Sequence, residues 1–348
     1  GNLISNITRT QFEEAWGKRH FEVSFEREYL KEILATGCLG IVIEKFFIWI
    51  GNGSNGKSLI ADLMGLALGD YAKCDARPQI ITDKSNKKSA DGATSSLMGL
   101  ESKRFVFMEE GDANDKINTS TMKAYTGTLK HSGRGLYKSS DISVEIPATW
   151  GITTNSRMDL DTPNPTNGER RRIVEMFFKS TFVETEDELE IKIKEGKENV
   201  YLQDTELKNN IQKYILPFLA ILIQKIDIMS KRETKNYTPI APKSVINKTN
   251  EYLLNTNPIV RLLNELYTFD ENIPPMDAKS SKTIFNEIKE SEEYSNMSRF
   301  DKEAFTSSKI KTLLTSETHY KKYLHYNTRN KSWTFFMKLK NEDQTDDE

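Results

Sequence analysis

Apolar positions spaced three and four apart predict the first helix, over residues 25–39, where Tyr29, Leu30, Ile33 and Leu34 share one face. A different pattern follows. Phe46-Phe47-Ile48-Trp49-Ile50 is a short unbroken apolar run, as expected of a strand buried on both faces. A glycine-rich turn separates it from a predicted helix over 57–68 that stops at Gly69. Residues 104–108 and 150–154 predict two more buried strands, and a hairpin is expected from 134–137 and 142–148. Strands alternating with helices predict an α/β core built on a largely parallel sheet.

Beyond Phe178 helical spacing takes over. Leu207, Ile211, Ile215, Leu219 and Leu222 predict a helical region over 186–231, with Pro217 expected to kink it. Residues 238–242 hold two prolines and read as a linker. The last region has helical patterns over 245–269, 282–290 and 306–315 and strand patterns over 320–326 and 332–338. That order suits a small C-terminal winged-helix module. The expected divisions are the end of a helical or linker region over 1–40, a core over 41–180, a helical region over 181–242, the C-terminal module over 243–340 and an acidic tail over 341–348.

Composition narrows the class. A hydrophobic content of 37% in 348 residues suits a globular chain of two or three units. The longest apolar run, 214–223, is half of what a bilayer helix needs, and no basic-then-apolar leader opens the sequence, so no membrane role is expected. Because the chain starts Gly1-Asn2 rather than with Met, we expect a piece of a longer protein whose upstream part is missing. Cys38 and Cys74 with four scattered histidines make neither a zinc cluster nor a disulfide framework, and a reducing, cytoplasmic setting is expected. Net charge is only −2, which by itself argues against a nucleic-acid partner. Its distribution points the other way. No Asp or Glu occurs over 116–140, where Lys116, Lys123, Lys130, Arg134 and Lys138 fall.

Gly51-Asn52-Gly53-Ser54-Asn55-Gly56-Lys57-Ser58 has the spacing of a phosphate loop. Glycines let backbone N–H groups close around phosphate oxygens, Lys57 reaches the terminal phosphates and the Ser58 hydroxyl faces Mg²⁺. The strand over 104–108 runs into Glu109-Glu110, a placement that gives one carboxylate to the metal and the other to the attacking water. Asn155 ends a third strand, where a neutral amide can polarise the γ-phosphate or the water. Glu169-Arg170-Arg171-Arg172 then precedes another strand, and one of its arginines could complete a neighbouring subunit's site. Taken singly, the last three have ordinary readings as a solvated strand end, a turn asparagine and an exposed charge run.

In this order the motifs resemble the superfamily 3 helicases, and within them the helicase half of phage and plasmid primases and of the poxvirus-like primase-helicases of large DNA viruses. The resemblance runs through 26–178, with a weaker echo in 242–267. It implies an AAA+-type P-loop ATPase core, ATP and Mg²⁺ as cofactors, a homo-hexameric ring, and 3′ to 5′ movement along single-stranded or forked DNA. It also implies an upstream primase region and action in host cytoplasm or at a viral replication site. Residue by residue, it implies Gly51, Gly53, Ser54, Asn55, Gly56, Lys57 and Ser58 around the nucleotide, Ser58 and Glu109 for the metal, and Glu110 for water activation. Asn155 becomes the γ-phosphate sensor, and Arg172, then Arg171, the finger. Lys130, Arg134 and Lys138 fall in the family's DNA-contacting hairpin. One departure is that relatives carry Gly-Gly-Asp where this chain has Gly127-Thr128-Leu129. Two other functions share the phosphate loop: a nucleotide-switched origin-melting or loading module, and a small-molecule kinase, which has no use for a basic hairpin.

Overall fold

The computed structural model describes residues 24–83, 97–109, 115–134, 141–233, 237–297, 302, 305–317, 320–328 and 331–340. The chain divides into two compact units, Gly1–Tyr252 and Leu253–Glu348.

The first unit is built on five parallel strands, β1 (Phe46–Ile50), β2 (Ala72–Ala76), β3 (Phe105–Met108), β4 (Thr149–Thr154) and β5 (Ile173–Phe177), ordered β2-β3-β4-β1-β5. Helix α1 (Ser24–Leu39) precedes β1, and α2 (Lys57–Leu68) follows it. Every residue of β1 and β3 is buried, which is why both read as unbroken apolar runs. Strand β2 was not legible, because its Ala-Lys-Cys-Asp-Ala sequence belongs to a half-exposed sheet edge.

The centre is aromatic. Trp49 lies with its ring 4.2 Å from that of Phe107, which stacks on Phe105 at 4.4 Å. Such pairs add about 1 kcal/mol each beyond the area they bury. Gly151 makes room for them, since a Cβ there would stand 2.3 Å from Phe107 Cζ and 2.8 Å from Phe47 O.

Helix α3 (Thr119–Gly127), capped by the Asn118 side chain, leads into an antiparallel pair formed by Lys130–Arg134 and Asp141–Glu145. The pairing therefore starts four residues earlier than the hydrophobic pattern predicted. The short helix α4 (Asn167–Arg170) comes just before β5.

The region expected to be helical over 186–231 is mixed. Strand β6 (Thr181–Val183) pairs with β7 (Val200–Leu202) around α5 (Glu186–Lys194), and only α6 (Ile215–Ser230) is long. Pro217 does not kink α6. It sits in the first turn, where no intrahelical partner needs its missing N–H. Buried α6 residues Phe218, Ile221 and Leu222 join the core of α1, and ion pairs Glu28–Lys225 and Glu32–Arg232 flank them.

The helix expected over 245–269 is also divided, into α7 (Lys243–Asn255) and α8 (Pro258–Leu266), followed by β8 (Tyr267–Phe269). Asn257 caps α8 through the Ile259 amide and Pro258 occupies its first position, a start signal that interrupts any continuous helix.

The second unit continues with β9 (Lys279–Ser280), α9 (Ser281–Glu290), α10 (Ser307–Ser316), β10 (Leu324–Asn327), β11 (Ser332–Phe335) and β12 (Met337–Leu339). Residues 321–323, expected as strand, form a 3₁₀ turn. Strands β9, β11 and β10 make one antiparallel sheet, and β8 pairs with β12. Among the described residues no helix is long and apolar enough to cross a membrane.

Candidate active site

Three parallel strands end at one edge of the sheet, and each delivers a predicted residue there. Strand β1 runs into the glycine loop, β3 into Glu109 and β4 into Asn155. Gly51 is required by its neighbours, because a Cβ would lie 2.2 Å from Asn55 Nδ2 and 2.7 Å from Phe178 O. Asn55 is thereby folded inward, 3% exposed. Gly53 and Gly56 adopt φ of 86° and 82°, and Ser54 adopts 43°, so the loop turns through left-handed backbone that glycine tolerates best. The Phe182 amide donates to Ser54 O at 2.7 Å and pins the tip. Helix α2 then starts without a side-chain cap, leaving first-turn N–H groups suited to an anion.

Lys57 is buried, and its Nζ donates to Gly51 O at 2.6 Å and to Asn155 Oδ1 at 3.4 Å. The loop cation and the β4 amide therefore stand side by side. Ser58, Glu109 and Asn155 line the same cleft, whose volume is about 1300 Å³. A hydroxyl and a carboxylate are hard oxygen donors of the kind Mg²⁺ takes. Glu110 lies outside the described residues.

The cleft also has walls that motif reading missed. Phe182, Gln203 and Leu207 line it from the segment after β5, while Lys73, Cys74 and Lys103 line it elsewhere. Burial pushes the Cys74 thiol up to about 12, which removes it as a nucleophile. No spacing rule links these positions to the loop. The β6 connection, through Phe182, does.

The arginines lie at the other end of the sheet. They precede β5, which runs parallel to β1 with Ile173 beside Phe46, so the length of five strand residues, roughly 16 Å, separates them from their own loop. Phe46 N donates to Arg172 O and Lys45 Nζ to Arg171 O. Arg172, the first choice for a finger, is 5% exposed, and its guanidinium donates to Gly168 O at 2.5 Å and to Glu44 at 2.8 Å. In this conformation its guanidinium is engaged within its own chain. Arg171 keeps its side chain 60% exposed while pairing with Glu44 at 2.6 Å.

The basic window looks different in space. Lys130 Nζ lies 3.4 Å from Glu145 across the antiparallel pair. Within a stretch free of acid in sequence, Lys130 thus meets an acid from the returning strand. Lys138 lies outside the described residues.

No protein-family profile matches the chain. Similarity to individual proteins is clear. A protein of Acanthamoeba polyphaga mimivirus named "Putative helicase" is 29% identical over 229 residues, 65% of this chain and 23% of that protein. A protein of African swine fever virus named "Putative primase" is 22% identical over 245 residues, 69% of this chain and 23% of that one. The chain therefore spans about a quarter of the length of these relatives. Among solved structures, the apo C-terminal region of NrS-1 superposes with a TM-score of 0.44 at 13% identity, covering 89% of this chain and 62% of that one. The chain is a homologue of the helicase- and primase-named proteins of large DNA viruses, the relationship that its phosphate loop, carboxylate pair and arginine motif implied.

Proposed function

We propose that this chain is the ATPase core of a replicative DNA helicase of superfamily 3, the C-terminal part of a longer primase-helicase. The observation that carries the reading is the meeting of Lys57 and Asn155, 3.4 Å apart in a cleft that Ser58 and Glu109 also line. A turn lysine and a turn asparagine have no reason to converge there. A phosphate-loop lysine and a γ-phosphate sensor do.

In this reading ATP occupies the cleft with its phosphates against the loop amides and Lys57, and Mg²⁺ would supply neutralisation of the phosphate charge. Ser58 and Glu109 hold the metal, Asn155 orients the γ-phosphate and Glu110 accepts the proton of the attacking water. The core is of AAA+ type, with the loop leaving an inner strand of a parallel sheet. A finger 16 Å or so from its own loop serves a neighbour, which is the arrangement of a hexameric ring. The ring tracks 3′ to 5′ on single-stranded or forked DNA, and the second unit, with its helices and small antiparallel sheets, is its winged-helix module.

The test is ATPase rate with and without single-stranded DNA. Stimulation by DNA is expected. A rate indifferent to DNA, together with phosphorylation of a small acceptor, would make the chain a kinase, and stimulation without strand displacement would make it an origin-melting or loading module.

A further inference from the structure

Charge in the second unit is divided along the chain. Residues 253–304 carry ten acids and six Lys or Arg, whereas 305–340 carry eight Lys or Arg and one acid, Glu317. The basic part forms α10 and the β10–β11 pair. Helix α10 buries Ile310, Leu313 and Leu314, which leaves Lys309 and Lys311 exposed. Lys331, in the turn just before β11 with φ of 48°, is exposed as well, and among the described residues none of the three has an acidic partner.

The sheet adds an aromatic feature. Tyr326 pairs with Trp333 in register, their ring centroids 5.0 Å apart, and they remain 44% and 37% exposed. The next pair on that face, Leu324 with Phe335, belongs to the core, where Phe335 is 1% exposed. The apolar face of the hairpin thus continues past the core and ends in two rings left in water. Large exposed aromatics, with Lys331 two residues before Trp333 in the chain and Lys309 and Lys311 on a helix of the same unit, fit a partner that offers flat π-surfaces and phosphates together.

We propose that the β10–β11 pair and α10 form a single-stranded DNA site of their own, in which Tyr326 and Trp333 stack on bases while Lys309, Lys311 and Lys331 hold the backbone. The choice of DNA over RNA rests on the helicase reading. The site itself does not, since it contains no residue of the nucleotide cleft. Every base has a π-face, so binding is tolerant of sequence.

The experiment measures fluorescence anisotropy of labelled oligo-dT binding to the full chain without nucleotide, beside oligo-U of the same length and an acidic protein competitor. Tyr326→Ala with Trp333→Ala is expected to weaken oligo-dT binding about tenfold or more, and Tyr326→Phe with Trp333→Phe to retain it. Alanine at Lys309, Lys311 and Lys331 together should make the slope of log affinity against log salt shallower by roughly 2, three phosphate contacts at about 0.7 each. All variants should keep the thermal midpoint and DNA-free ATPase rate of the parent. Parental oligo-dT affinity in the double alanine variant, an unchanged salt slope, tighter binding of oligo-U, or displacement by the acidic protein with no loss in the alanine variants would each overturn the proposal. A parent chain without ATPase activity would remove the helicase reading and leave these binding measurements standing.

Discussion

Arg172 Nη2 lies 2.8 Å from Glu44 Oε1, and the same carboxylate holds Arg171 at 2.6 Å, so a single acid at the foot of β1 organises two of the three arginines. Arg172 is the buried member. A Cβ on Gly127 would stand 3.4 Å from its Nη2, which puts the guanidinium beside the entry to the antiparallel pair. Arg172→Ala should therefore lower stability by about 1–3 kcal/mol, below the range for a fully buried pair because Glu44 is half exposed. Arg171→Ala should change stability by less than about 0.5 kcal/mol. Urea denaturation of both measures the difference. If Arg171 acts in a neighbour, its inactive alanine variant mixed with Lys57→Ala protein should recover part of the ATPase rate. Recovery with Arg172→Ala alone would move the finger back to Arg172.

Nucleotide binding and hydrolysis should separate within the cleft. Lys57→Ala should abolish ATP binding, since it removes the loop's own cation. Asn155→Ala should bind ATP and hydrolyse it about 10²–10³-fold more slowly, as expected when a preorganised polar group at the reacting phosphate is lost. Glu110→Gln should do the same, because an amide cannot take the water's proton. Calorimetric binding beside steady-state turnover checks all three, and near-parental turnover in any of them would sink that residue's role.

Lys130 is neutralised by Glu145, so Lys130→Ala should have little effect on DNA-stimulated ATPase. Lys138→Ala is expected to lose that stimulation while retaining basal turnover. Strand displacement run beside DNA-free ATPase on one preparation decides between them. Equal, small effects would direct attention to the second unit.

His131 should make the core sensitive to acid. It is buried with its ring edge to Tyr125 at 5.3 Å, and burial holds its pKa below the ordinary 6.5. A histidine depressed in this way takes up its proton later in the folded than in the unfolded chain. Its contribution is full above about pH 6.5 and is lost as pH falls through the lowered folded value. Melting temperatures of the parent and of His131→Phe between pH 7.5 and 5 should diverge, with the parent falling more steeply. Parallel curves would remove His131 from the account.

Gly151→Ala should destabilise strongly although it adds one methyl group. Its Cβ would meet the Phe107 ring and the Phe47 carbonyl below contact distance. Overpacking of this kind costs about 1–3 kcal/mol. A variant melting with the parent would mean the aromatic cluster repacks freely.

Features that depend on residues close along the chain were readable without any tertiary structure. The buried strands β1 and β3, the loop from Gly51 to Ser58 and helix α2 were legible because burial on both faces, glycine turns and helical spacing are local patterns. Local reading failed where neighbours in space set the outcome. The edge strand β2 has no apolar run, Asn257-Pro258 divides a helix whose apolar spacing continues across it, and β6 and β7 pair across an intervening helix. The site followed the same rule. Motif spacing named Lys57, Glu109 and Asn155, but only the parallel register of β1, β3 and β4 brings their ends to one edge and sends the arginines to the other. Tertiary pairing also gave Lys130 the partner Glu145, fifteen residues on, and buried Arg172 against Glu44, 128 positions away. Pairing between distant segments fixes burial and charge balance, and no one-dimensional pattern carries that information.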